Sequence, residues 1–415
     1  MEKMSCGGVV VGETNENIFE IAIVTNNINL AKSIIHLVNA NSYFNHRKEL
    51  PLHLSVKNGN LNMVKFLIEN GADVNMMDRS FMYPLHYACQ FVYPKIASIL
   101  ISAGANPNIH SIRSSTPLLL AIETHSLELV KILVESGADI EKQDQSNGNT
   151  PLNQACYNYP SNTQIDIVDY LIKCGANVNS KNHSGLTPLL TAILANYNLN
   201  VRLIKLLLRS GCNPNEANLA GISPLLAAIR RSSDHFDDGN QTVQLLIDHG
   251  CNVNAREFEN NHHRQQPIGL SPGGDTALNI SIDRNQDSIT EKLIRNGADV
   301  GVENLRGETP IFSLIRDRKY VLARQALATL PIISTKDLQQ LSRYLSDEYR
   351  MNEDPKNFQQ IKQFLFQQPG SYFPRLMHLC RCSIRKSLGR YSDRSIEYLK
   401  YLPESIRSYL MLKQL

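Results

Sequence analysis

Tyr83-Pro84-Leu85-His86-Tyr87-Ala88, closed twenty residues after its proline by Gly104-Ala105-Asn106, is the stretch whose reading decides the fold. The same two signals recur along most of the chain. A Pro-Leu or Ala-Leu pair stands at Pro51, Pro84, Pro117, Pro151, Pro188, Pro224 and Ala277. A glycine turn answers each pair, at Gly71, Gly104, Gly137, Gly175, Gly211, Gly250 and Gly297, in steps of 33, 33, 38, 36, 39 and 47 residues. Self-similarity at such a period means stacked structural repeats rather than one closed core.

Each repeat reads as two short helices. Thr116, Thr150, Thr187 and Thr309 can cap a helix start, and the proline that follows loses nothing by lacking an N–H there. In the third repeat Leu129, Val130, Ile132, Leu133 and Val134 make the apolar stripe of a second helix. Gly137 then ends that helix in a left-handed turn. Cys89, Cys156 and Cys174 are expected as small apolar packing residues. A weaker unit spans Asn17 to Asn45 as an N-terminal cap, and Pro310-Ile311 opens a last unit that reaches no glycine.

Departures from the period locate insertions. The fourth, fifth and sixth repeats are lengthened between or within their helices. Glycine to next pair is 13 or 14 residues everywhere except Gly250 to Ala277, where it is 27. That extended finger holds Phe258, His262, His263 and Arg264, the candidate contacts to a target protein.

The Pro-Leu-His-x-Ala run of Pro84 to Ala88 and endings such as Gly71-Ala72-Asp73-Val74-Asn75 resemble the ankyrin repeat, whose period is 33. The resemblance implies an all-α ankyrin-repeat solenoid, with helix–turn–helix units and β-hairpin fingers. It also implies protein binding through the fingers and the concave face.

After about residue 330 the register stops. Leu376, Cys380, Ile384 and Leu388, flanked by Leu379, form one helical stripe, and Leu402, Pro403 and Ile406 continue the apolar pattern. This block is similar to the SOCS box, and repeats followed by such a box resemble the ankyrin-repeat and SOCS-box family. The resemblance implies that Leu376, Leu379, Cys380, Ile384 and Leu388 dock into elongin C as a helix in a groove. Leu402, Pro403 and Ile406 would meet a cullin. Lys400-Tyr401 stand where the family has Leu-Pro, so the fifth cullin type is expected in weakened form, with the second type the alternative. Periodicity alone also allows an ordinary capping bundle.

The expected domains are a disordered N-terminus 1–16, repeats 17–330, a helical linker 331–370 and the box 371–415. The start of the chain does not read as a signal peptide, and no run reaches the ~20 apolar residues of a membrane span. A formal charge of +3 gives no drive towards nucleic acid or anionic membrane, so neither is an expected partner. Eight cysteines over 415 residues are too sparse for a disulfide scaffold, which points to a reducing, cytoplasmic setting with the nucleus also open. His262-His263 and the group Asp234, His235, Asp237 and Asp238 lack a metal-ligand pattern, so no metal or other cofactor is expected. No nucleophile or phosphate-loop motif appears. The expected function is target recognition for a ubiquitin ligase of elongin B, elongin C, a cullin and its RING subunit. The alternative is an ankyrin scaffold or inhibitor whose last helices only cap the repeats.

Overall fold

The computed structural model describes residues 15–44, 49–111, 115–157, 162–195, 199–232, 237–256, 275–304, 306–329 and 340. Within them the opening unit forms α1 (Asn15–Val24) and α2 (Ile28–Ile34), the latter running into a single 3-10 turn, Ile35–Leu37. Five repeats follow as α3 (Pro51–Lys57) with α4 (Leu61–Glu69), α5 (Pro84–Gln90) with α6 (Pro94–Ser102), α7 (Pro117–Glu123) with α8 (Leu127–Glu135), α9 (Pro151–Tyr157) with α10 (Asn162–Lys173), and α11 (Pro188–Leu194) with α12 (Val201–Arg209). Three more pairs are α13 (Pro224–Arg231) with α14 (Asp238–Asp248), α15 (Ala277–Asp283) with α16 (Asp287–Arg295), and α17 (Pro310–Arg316) with α18 (Tyr320–Ala328).

The helix starts follow from the cap residues. Thr116, Thr187 and Thr309 accept from the backbone N–H groups of Leu119, Leu190 and Phe312, each at 3.3 Å. Thr150 accepts likewise from Asn153. Ser223 and Thr276 do the same for α13 and α15, two caps the sequence reading did not single out. At the other end of each pair Gly137, like its counterparts, is left-handed, with φ of 87°. An added Cβ at Gly137 would meet nothing within 4 Å, so backbone conformation alone demands the glycine there.

The chain divides into two compact units, Met1–Leu219 and Ala220–Leu415. In the first, α3, α5, α7, α9 and α11 pack successively in one row, and α2, α4, α6, α8, α10 and α12 form the second row. Seven-residue helices are unstable alone, so this stacking supplies their stability. First-row helices are buried nearly all round: α7 buries Pro117, Leu118, Leu119, Ala121 and Ile122. Second-row helices bury one side, as α8 does with Leu129, Val130 and Leu133.

Asparagines lock neighbouring repeats together. Asn75 Nδ2 donates to the Gly104 carbonyl at 2.8 Å, and its Oδ1 accepts from Asn106 N at 2.9 Å. Asn41 makes the same clamp on Gly71 and Asp73, and Asn108 makes it on Gly137 and Asp139. The last asparagine of the Gly-Ala-Asp-Val-Asn ending is therefore a staple to the following repeat.

In the second unit, α13, α15 and α17 stack in one row and α14, α16 and α18 in the other. Asn254 repeats the staple onto Gly297 and Asp299. Gln286 Nε2, at the turn before α16, donates to the carbonyls of Ile229 and Ser232 at the end of α13. Gln340 holds the last finger by hydrogen bonds to Gly307 and Thr309.

Three expectations are refined. The fingers are turns rather than strand ladders: among the described residues there is no named strand, and one antiparallel bridge joins Arg256 to Thr276. In the finger at Asp78 the N–H of Asp78 donates to the Met82 carbonyl at 2.9 Å, and Asp78 Oδ1 accepts from both Ser80 N and Met82 N, an Asx-turn that closes the tip within five residues. Part of the extra length of the fourth and sixth repeats lengthens α10 to 12 and α14 to 11 residues, whereas α12 keeps 9 and its repeat is extended before Val201. Cys89 and Cys156 are fully buried, but Cys174 is exposed and is not a packing residue. It occupies the position before the turn glycine where other repeats carry Asn70, Ser136 and Ser210, on the solvent side.

Candidate functional site

Helical repeats present to solvent the free edge of their first helices and the fingers between them. In the first unit this surface forms a cleft of about 320 Å³ spanning the repeats of α7, α9 and α11. Leu119 and Glu123 come from α7, Gln154 and Tyr157 from α9, and Thr191 from α11. The fingers add Asp144, Asn149 and Asn182.

A directed chain of amides crosses this surface. Asn182 Nδ2 donates to Asn149 Oδ1 at 2.9 Å, Asn149 Nδ2 to Gln154 Oε1 at 3.3 Å, and Gln154 Nε2 to Glu123 Oε1 at 3.3 Å. Asp144 is consumed by its own finger: it accepts from Ser146 Oγ, Asn147 N and Asn149 N. Burial works against its charged form, yet the bonds from Asn147, Ser146 and Asn149 prevail and hold the carboxyl below its ordinary range. Glu123 is pushed the other way, first by burial and then by the like charge of Asp144. Thr191 is 2% exposed, and its hydroxyl has no hydrogen-bond partner among the described residues.

Glu123 stands apart from three charged residues at the same position of other first helices, Lys57, Asp283 and Arg316. Lys57 of α3 is paired to Glu49 at 2.8 Å and lies 4.3 Å from the centre of the Tyr87 ring. Arg316 of α17 is paired to Glu308 and Asp317. Asp283 of α15 faces Arg306 and Arg316. Among the described residues no lysine, arginine or histidine lines the cleft around Glu123.

The residues expected to contact elongin C (Leu376, Leu379, Cys380, Ile384, Leu388) and a cullin (Leu402, Pro403, Ile406) lie outside the described residues. So do Phe258, His262, His263 and Arg264 of the long finger, and Asp234 and His235. Asp238 opens α14, and Asp237 accepts from Gln241 Nε2 at 2.7 Å, so both serve a helix start. Among the described residues no group of three or more His, Cys, Asp or Glu could hold a metal ion, and no helix is long and apolar enough to cross a membrane.

Comparison with known proteins adds the family. A model of ankyrin repeats in three copies matches residues 18–111, 85–182, 118–214, 159–257 and 189–304. A SOCS box model matches residues 373–411, which contain all eight positions expected to meet elongin C and the cullin. No curated protein matches the chain. Among solved structures, the ankyrin repeat domain of Bcl-3, described as a unique member of the IkappaB protein family, is 27% identical. It covers 57% of this chain and 99% of its own, with a TM-score of 0.48. An ankyrin repeat domain from Acinetobacter baumannii AYE is 28% identical and covers 49% of this chain and 98% of its own, with a TM-score of 0.44. With repeat matches running from residue 18 to 304 and the box following, the chain belongs to the ankyrin-repeat family and carries a C-terminal SOCS box.

Proposed function

We propose that this protein is the target-recognition subunit of a ubiquitin ligase built on elongin B, elongin C, a cullin and a RING subunit. The observation that carries the reading is the SOCS box match at 373–411, C-terminal to repeat matches that end at 304. A receptor of this kind needs two surfaces, one for the target and one for the ligase, and the order of the two modules supplies them. The chain acts as an adaptor: it raises the local concentration of target lysines near a ubiquitin-charged enzyme and makes no bond itself. Leu376, Cys380 and Ile384 are the anchors for elongin C, with Leu379 and Leu388 beside them. Leu402, Pro403 and Ile406 face the cullin, of the fifth type. The working compartment is the cytoplasm, with the nucleus also accessible.

The test is co-purification of the full chain with elongin B and elongin C, comparing wild type with the double variant Leu376→Glu, Cys380→Glu. Charge buried without a partner at an anchor is costly, so recovery of both elongins should fall to background while the repeats keep their helical signal. Equal recovery from the two proteins would remove the box assignment. Reconstitution with the second and the fifth cullin then decides between them.

A further inference from the structure

The cleft between α7, α9 and α11 carries an inference that rests on the receptor reading and names what the receptor would grip. Its volume, about 320 Å³, lies at the floor of the roughly 300–1,000 Å³ of small-molecule pockets. Such pockets are lined mainly by apolar and aromatic groups, whereas this one is lined mostly by carboxylates, amides and hydroxyls. A single long polar side chain of a protein target suits it better than a cofactor or metabolite.

Its charge states the sign. Glu123 and Asp144 are acidic, and among the described residues no basic one lines the cleft. Asp144 already accepts three hydrogen bonds from its own finger, while Glu123 accepts a single 3.3 Å bond from Gln154. Every other charged residue described above at the Glu123 position has an opposite charge beside it. A second, independent observation points into the same space: the Thr191 hydroxyl, 2% exposed, lines the cleft without a partner. A buried hydroxyl left unsatisfied is costly, and a donor entering the cleft would recover that loss. At the rim Tyr157 is 56% exposed, an aromatic face able to cover a guanidinium.

We propose that this cleft receives a basic side chain, arginine before lysine, from the target protein, with Glu123 as counter-charge, Thr191 as acceptor at the base and Tyr157 as lid. Arginine is favoured because its planar fork can donate to a carboxylate and a hydroxyl together while stacking on an aromatic ring. Bringing a cation to Glu123 also relieves the like-charge pressure from Asp144 that raises its pKa.

The experiment selects a displayed library of random short peptides against the full-length chain. Enriched peptides are then titrated against wild type, Glu123→Gln, Thr191→Val and, as a folded control outside the cleft, Asp169→Asn. The expected result is enrichment of arginine or lysine at one fixed position. Affinity should then fall about tenfold or more in Glu123→Gln and by a smaller factor in Thr191→Val, with no change in the control. Peptide affinity for wild type should also weaken with added salt. Peptides without a common basic position, the absence of any enriched peptide, or equal affinity for wild type and both cleft variants would each overturn the proposal. Elongin recovery is measured on the same variants. Loss of elongin binding from wild type would remove the receptor reading and leave the cleft standing, and the converse outcome would do the opposite.

Discussion

Among the described residues, six turns between first and second helices take a left-handed residue, and their occupants differ in what that costs. Gly59 sits there with φ of 70°, whereas Val92, His125, Asn285 and Arg318 hold the same turn at 58°, 55°, 57° and 62°, and Asn26 does so at 53° in the opening unit. A β-branched side chain is the worst occupant of this conformation, and the left-handed penalty is roughly 1–2 kcal/mol. Val92 is 43% exposed, so little burial offsets the strain. Gly59 has a second constraint, since a Cβ there would come within 2.9 Å of the Tyr93 ring. Val92→Gly should therefore stabilise the first unit by about 0.5–1 kcal/mol, once the greater freedom of glycine in the unfolded chain is subtracted. Urea denaturation followed by circular dichroism checks this. A midpoint below that of wild type would show that the valine does more packing than its exposure indicates.

Between elements, where the second residue after the helix-opening proline is histidine or asparagine, it reaches across to the next finger. His53 Nε2 pairs with the Met82 carbonyl and His86 Nε2 with the Ser115 carbonyl, both at 3.1 Å. Asn153 Nδ2 does the same work on Leu186 at 3.1 Å. Burial pushes both imidazoles down to about 4, against the hydrogen bonds from their fingers; for His53 the carboxylate of Asp78 also opposes the shift, and the ammonium of Lys57 adds to it. His110 adds a small push on His86. Unfolded, each ring titrates near 6.5, so above that pH neither state takes a proton and stability is flat. From about 6.5 down to about 4 the unfolded chain binds protons the folded one refuses, and stability is lost by about 1.4 kcal/mol per pH unit for each ring. His86→Asn, which copies Asn153, should keep the cross-repeat bond and remove one such slope. Denaturation curves at pH 7, 6 and 5 measure it, and an unchanged slope would mean that His86 is already protonated when folded. This scale also separates what the sequence disclosed from what it did not. Prolines and glycines at fixed intervals announced the helix pairs because those residues act through their own backbone. The cleft was not legible, because Glu123, Gln154 and Thr191 lie far apart in the chain and meet only when repeats stack. One signal was present. Gln154 and Thr191 fall three residues after their prolines, where Leu54, Tyr87 and Leu120 stand in other repeats.

At the scale of the whole chain, each repeat is held by its neighbours, so an insertion in one finger is nearly separable from the stability of the stack. The longest connection, 27 residues from Gly250 to Ala277, exceeds the usual 13 by enough to form a binding element of its own. Its central residues lie outside those described, but its roots are fixed: Arg256 and Thr276 form an antiparallel bridge, and Thr276 caps α15. Closing the Gly250-to-Ala277 connection over 13 residues instead of 27 changes loop entropy by only about 0.6 kcal/mol. Removal of residues 258–271 restores the ordinary spacing and takes away Phe258, His262, His263 and Arg264 together. The trimmed chain should unfold within a few degrees of wild type and recover elongin B and elongin C equally. Only its set of captured targets should shrink, because the deletion touches neither the stack nor the box. Quantitative comparison of proteins recovered by wild-type and trimmed chains provides the reading. If every partner outside the ligase is recovered in equal amount, the long finger is a tolerated surface insertion, and target recognition rests on the clefts between the first helices.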